Sequence, residues 1–208
     1  MTAGPRFFIA RHGETVFNAA ARMQGDVLHT PLTRAGFAQA DEMGALLRVH
    51  LGPGPKLDLW ASPAGRALQT LAVIAEHLEL DWHCARTDAR LREIDIGDWS
   101  GRLYHELAAE AGAGAGPLID PATGLFSSRP PGGEIYDEVA QRLQSWLDDT
   151  AGEAADRLIV MHGMSSRVLR GMLTGAGRIA GNVRQGSLVE IRAGVETSLE
   201  SGDAFEPF

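Results

Sequence analysis

Cysteine is nearly absent: Cys84 is the only one among 208 residues. A lone thiol cannot close an intrachain disulfide and offers no metal-ligand spacing, which suits a reducing compartment. Cys84 therefore reads as a small buried or half-buried residue rather than a nucleophile. Long apolar runs are also missing, and none approaches the roughly 20 residues needed to cross a bilayer, so no membrane span is expected. The opening Met1-Thr2-Ala3-Gly4-Pro5-Arg6 lacks the basic and then long apolar stretches of a secretory signal. A cytoplasmic location is the expectation. Positive charge is in deficit: 19 Lys and Arg stand against 27 Asp and Glu, a net charge of -8 that argues against broad nucleic-acid binding. An anionic substrate would have to be drawn in by a local arginine cluster working against the global field. What is present is apolar content of 44%, enough for a sizeable core, and a single domain over residues 1–208 is expected.

Strands and helices alternate along the chain. Arg6 to Ala10 reads as a first strand, followed by a loop from Arg11 to Leu32. Thr33 reads as an N-cap, and Arg34 to Leu51 has helical spacing that stops at the breaker Gly52-Pro53-Gly54-Pro55. Leu57 to Ala61 is a short strand, Ser62-Pro63 opens a helix running to about His77, and a further strand is expected near Trp82 to Thr87. Leu91 to Gly101 is too broken by glycine and charge to be regular. A helix from Leu103 to Ala111 runs into Gly112-Ala113-Gly114-Ala115-Gly116, whose glycines favour a mobile, lid-like insert around 102–130. An amphipathic helix over Glu134 to Thr150, a strand over Arg157 to Met161 and a helix over Ser165 to Thr174 follow. Ser187 to Arg192 and Glu196 to Glu200 read as closing strands, and Phe205 to Phe208 as a loose tail. This order predicts a three-layer α/β/α sandwich on a mostly parallel sheet, with ligands at the carboxyl ends of the strands.

Arg11-His12-Gly13-Glu14-Thr15 follows the first apolar run directly and sets an imidazole beside a guanidinium at a strand end. A neutral, oriented imidazole can attack phosphorus, an arginine fork matches phosphate oxygens, and a glycine lets the backbone approach a ligand. Three distant candidates fall at comparable places: Arg66 in the first turn of a helix after a strand, Glu93 in the irregular loop, and His162-Gly163 after the strand ending at Met161. Taken singly, Arg66 reads as a solvated helix residue, Glu93 as a surface charge and His162 as a satisfied core histidine. His29, His50, His77, His83 and His105 have no motif context, although His29 and His105 could edge a pocket.

Together these residues resemble the histidine phosphatases, the phosphoglycerate mutase-like superfamily. The likeness spans nearly the whole chain: Arg11-His12-Gly13-Glu14-Thr15, then Asn18, Gln24-Gly25, Pro31-Leu32-Thr33 and Gly36. It continues through Ser62-Pro63-Ala64-Gly65-Arg66-Ala67-Leu68-Gln69-Thr70, Leu91-Arg92-Glu93-Ile94, Gly97-Asp98-Trp99-Ser100-Gly101 and Val160-Met161-His162-Gly163. The resemblance implies that His12 takes the phosphoryl group as a phosphohistidine while Arg11, Arg66 and His162 hold the non-bridging oxygens. Glu93 would be the proton donor to the leaving group and then the base for water, Asn18 a further phosphate donor, with Gln24, Gly25 and Gly163 lining the phosphate. It implies no metal and no cofactor.

Mutases of this family usually carry an extra substrate-enclosing segment with paired basic residues. Here Leu103 to Phe126 holds no Arg or Lys, which resembles the phosphatase branch, including broad-specificity and alpha-ribazole phosphatases. The departure is Met164-Ser165-Ser166-Arg167, where several members have small or apolar residues; it bears on substrate choice. The expected partner is a small phosphorylated substrate, with no nucleic acid and no membrane, and a homodimer through an apolar edge stays open. Competing readings are a cofactor-dependent phosphoglycerate mutase and a non-catalytic phosphate-binding regulatory module, which would be expected to lose His12 or Glu93. A metal site on His12 and His162 is disfavoured by the two neighbouring arginines, whose charge repels a cation.

Overall fold

A computed structural model describes residues 4–114, 117–177 and 183–199. Six strands form one sheet: β1 (Phe7–Arg11), β2 (Leu57–Ala61), β3 (Arg86–Thr87), β4 (Asp156–Met161), β5 (Leu188–Arg192) and β6 (Val195–Ser198). Their order is β3-β2-β4-β1-β5-β6. The β3–β2, β2–β4 and β4–β1 pairs are parallel, whereas β5 and β6 return antiparallel, so the sheet is mostly parallel as predicted.

The alternation of side chains sorts the core into two layers. Phe8, Ala10, Leu59, Leu158 and Val160 face α2 (Arg34–Leu51) and α3 (Gly65–Leu78), meeting Met43, Leu47, Leu71 and Ile74. Ile9, Trp60, Ile159 and Met161 face α5 (Tyr136–Thr150) and α6 (Gly163–Thr174), meeting Val139, Leu143, Trp146 and Leu169. The central strands β1 and β4 are buried on both faces, which is why they read as continuous apolar runs.

Several boundaries move for local reasons. Within the expected loop before Leu32, Val16–Ala19 forms a one-turn helix, α1, capped by Thr15. It is too short to show periodicity. Thr33 caps α2 by accepting from Gly36 N, as expected. The strand expected near Trp82 shrinks to Arg86–Thr87, because Asp81 accepts from His83 N and winds Trp82–Cys84 into a 3-10 turn. Cys84 is exposed, not buried. The helix expected from Leu103 is α4, Tyr104–Gly114. Residues 115 and 116 of the glycine-rich run, Glu200 of the last expected strand and the tail Phe205 to Phe208 lie outside the described residues. Among those described, no helix is long and apolar enough to cross a membrane.

Candidate active site

Parallel register brings the reactive groups together. In the sheet Arg11 stands opposite Met161 and Ala61 opposite Val160, so β2, β4 and β1 end side by side. The ladder continues one residue further: His12 N donates to Met161 O at 3.0 Å and Ser62 N to Val160 O at 3.1 Å. His12, His162 and Ser62 therefore emerge from three adjacent strand ends. The loop carrying His12 is welded to the start of α2, because a β-carbon on Gly13 would collide with the Gly36 carbonyl oxygen and one on Gly36 with the Glu14 carbonyl oxygen.

His12 Nδ1 lies 2.7 Å from Gly13 O. A carbonyl only accepts, so Nδ1 carries the proton and Nε2 keeps its lone pair. The ring is buried, and burial, then Arg66 and Arg11, hold its pKa well below the usual histidine value. His162 packs edge-on against it, ring centroids 5.2 Å apart. Arg66 Nε donates to His162 Nδ1 at 3.2 Å, leaving Nε2–H to donate to Ser62 Oγ at 2.7 Å. Burial and Arg66 likewise push the His162 pKa well down. The rest of the Arg66 guanidinium is spent on Val27 O, Thr30 Oγ1 (3.0 Å) and Gly25 O (2.8 Å). Burial lowers its pKa to about 10, against the opposing pull of Glu93 and Asp26, so it stays charged at neutral pH.

Arg11 donates to Val183 O, and its Nε is buried without a hydrogen-bond partner among the described residues. Gly163 makes room for it, since a β-carbon there would sit 3.2 Å from Arg11 Cζ. Glu93 sits at the start of α6. Its Oε1 accepts from Ser165 N (2.8 Å) and Ile94 N (2.9 Å), and Oε2 from Met164 N (3.0 Å), so the carboxyl group is oriented by the first backbone N–H groups of the helix. Asn18 Oδ1 accepts from Thr15 N (3.1 Å), and Gln24 Oε1 from Thr15 Oγ1 (2.6 Å). Gly25 has φ of +50°, a left-handed conformation suited to glycine, and a β-carbon there would lie 2.5 Å from Ile96 Cγ1.

Around these groups lies a pocket of about 170 Å³. A model of the histidine phosphatase superfamily (branch 1) matches positions 7–193, which carry this whole constellation. The chain belongs to that superfamily. It is 35% identical over 170 residues, 81% of this chain and 74% of the other, to a protein of Erwinia tasmaniensis named probable phosphoglycerate mutase GpmB. Among solved structures, a mycobacterial glucosyl-3-phosphoglycerate phosphatase in complex with VO3 aligns with a TM-score of 0.73 at 27% identity, covering 89% of this chain and 92% of that one. A putative alpha-ribazole-5'-P phosphatase from Escherichia coli K-12 aligns with a TM-score of 0.71 at 25% identity, covering 95% and 97%.

The histidine phosphatase signature residues do not all reach the pocket. Arg11, His12, Asn18, Gln24, Gly25, Glu93 and Gly163 line it; Arg66 and His162 do not, being fully buried beneath His12 with their polar atoms held by protein partners. His29 and His105 are exposed and off its wall. Sequence reasoning missed Arg22, Met23, Ile96 and Phe126 on that wall, and gave Ser62 no role. Arg22 could have been found by its spacing four residues after Asn18. Phe126 carried no local signal. Among the described residues, no three His, Cys, Asp or Glu side chains gather to hold a metal ion.

The two buried imidazoles make stability depend on acid. Their pKa values are depressed, so below the unfolded value of about 6.5 the unfolded chain binds protons that the folded chain does not. Stability from these groups is intact above that pH and falls as pH drops through it, by about 1.4 kcal/mol per pH unit for each ring until its folded pKa is reached. Urea midpoints should fall between pH 7 and pH 5, with a shallower fall in a His12→Ala variant. Unchanged midpoints over that range would contradict neutral burial of both rings.

Proposed function

We propose that the protein is a phosphomonoesterase, hydrolysing small phosphorylated metabolites through a phosphohistidine on His12 without metal or cofactor. The observation that carries this reading is the tautomer: Nδ1 is fixed on Gly13 O, so Nε2 is the nucleophilic nitrogen, in a ring kept neutral beside two guanidinium groups. Nε2 attacks phosphorus as the P–O bond breaks. The orphaned Arg11 Nε supplies a donor suited to a non-bridging oxygen. Arg66 and His162 reach a phosphate only by exchanging their protein partners for it, and until then Arg66 acts by its charge. Such preorganised donors carry most of the catalysis in a loose phosphoryl-transfer transition state.

Glu93 gives the leaving oxygen its proton. Oε2, which accepts one backbone bond where Oε1 accepts two, has the lone pair to carry it. The same oxygen then takes a proton from water, which attacks phosphorus, breaks the P–Nε2 bond and releases orthophosphate. Asn18, its oxygen engaged by Thr15, has amide N–H donors left for the phosphate.

A mutase reading is favoured by the name of the Erwinia relative and by Arg22 and Arg167 on the pocket wall. Against it, Arg22 already donates to Gly101 O (2.6 Å) and Arg167 to Gly124 O (2.8 Å) and Thr123 O. A panel of phosphomonoesters assayed for phosphate release in excess chelator, with phosphoglycerate interconversion assayed alongside, separates the two. The expected result is release that chelator leaves intact and no interconversion. Interconversion outpacing release would make the protein a mutase, and silence in both assays would favour a binding module.

A further inference from the structure

Phe126 lines the pocket, and the same residue also lines a second cavity of about 170 Å³. That second space is bounded by Ser127, Ser128, Arg129, Pro130, Glu134, Ile135 and Tyr136, a lining that mixes polar and apolar side chains. One aromatic residue is thus shared by the pocket and the second chamber.

Its position is held from several directions. Phe126 N donates to Tyr136 Oη at 2.9 Å, and Phe126 pairs with Ile119 in an antiparallel bridge. The ring meets Trp99 edge-on at 5.4 Å and leans toward Tyr136 at 6.4 Å. Two residues before it, the turn at Gly124 (φ +63°) presents its carbonyl to the buried Arg167, which also holds Thr123 O. The glycine-rich run suggests a mobile insert, yet this half of it is fastened to α5 and α6.

We infer that Phe126 is a partition that sets substrate size: it confines the site to compact phosphomonoesters and shuts a ready-made chamber of mixed lining to the organic part of larger ones, such as nucleoside 5′-monophosphates. This rests on the phosphomonoesterase reading for its kinetic form. An aromatic ring replaced by a methyl joins the two cavities, and the ribose and base gain space bounded by Ser127, Ser128 and Tyr136 and by the apolar Pro130 and Ile135. Gains of this kind from pocket contacts run to about tenfold or more in kcat/KM.

Phe126→Ala should therefore raise kcat/KM for adenosine 5′-monophosphate about tenfold, mainly through KM, while lowering it for glycerol 3-phosphate, which loses a wall. Phe126→Leu keeps a plug and should keep the wild-type ranking, which also covers the case of poor folding in the alanine variant. To separate the partition from the reaction, calorimetry in a His12→Ala background reads binding alone: adding Phe126→Ala should tighten adenosine monophosphate about tenfold and leave orthophosphate unmoved. Parallel losses for both substrates, or equal shifts for both ligands, would overturn the partition. Absence of turnover in every protein with the binding shift intact would overturn the enzymatic reading and leave the partition standing.

Discussion

Replacing His12 with alanine is expected to abolish turnover and phosphoenzyme formation while leaving a folded protein. The ring's hydrogen bond is to its own neighbour, Gly13 O, and the strand extension that positions it runs through the backbone N–H to Met161 O, which alanine retains. The loss is thus chemical. Arg11 and Glu93 remain around the pocket, but no nitrogen stands where phosphorus can be attacked. Rapid-quench labelling with a phosphorylated substrate should trap acid-labile, base-stable phosphate on the wild type and none on His12→Ala. Equal labelling of the two would remove His12 as the nucleophile and direct attention to the other buried imidazole, His162. The variant should also be less sensitive to acid, having one fewer ring to protonate on unfolding.

The second large effect is on Glu93, and it should depend on the leaving group. An alkoxide needs a proton as the P–O bond breaks, whereas a nitrophenolate departs without one. Glu93→Gln should slow phosphohistidine formation from an alkyl phosphate by about 10² or more, and far less from para-nitrophenyl phosphate. Single-turnover measurement isolates that first step. The substitution carries a structural cost, since both carboxylate oxygens accept backbone N–H bonds and the amide nitrogen of glutamine would face one of these donors. Leaving a buried donor unmatched costs about 1–3 kcal/mol. That cost is common to both substrates, so their ratio reports the proton. An equal loss for both would show that Glu93 only holds the start of α6, with Asp98 the next candidate acid.

The layer order and the convergence of Arg11, His12 and His162 were legible because they follow from strand periodicity and from motifs placed directly after strands. The convergence of Arg66 on the histidines was legible but its place as a buried strut was not, because its bonds to Gly25 O and Val27 O depend on a loop that folds over α3. The approach of Glu93 to the other motif residues was readable; its engagement by the start of α6 was not, since that contact joins segments far apart in sequence. Phe126 was invisible for the same reason. Its place on the wall depends on Tyr136, Trp99 and Arg167, none of which is its neighbour in the chain. The 3-10 turn at Trp82–Cys84 escaped periodicity because one aspartate side chain decides it.

The crossing of Gly13 and Gly36 inverts the usual expectation about which positions tolerate change. Neither residue has a functional group, and Gly36 belongs to α2 rather than to the pocket. Yet any side chain at either would meet backbone atoms that cannot rotate away, and the displacement would pass straight into the peptide adjoining His12. Met23, Ile96 and Phe126 line the pocket and can be exchanged for others of similar bulk. Variation among natural sequences of this kind should therefore accumulate around the pocket and stop at two chemically silent glycines, which fix the backbone at His12 more strictly than the pocket wall does.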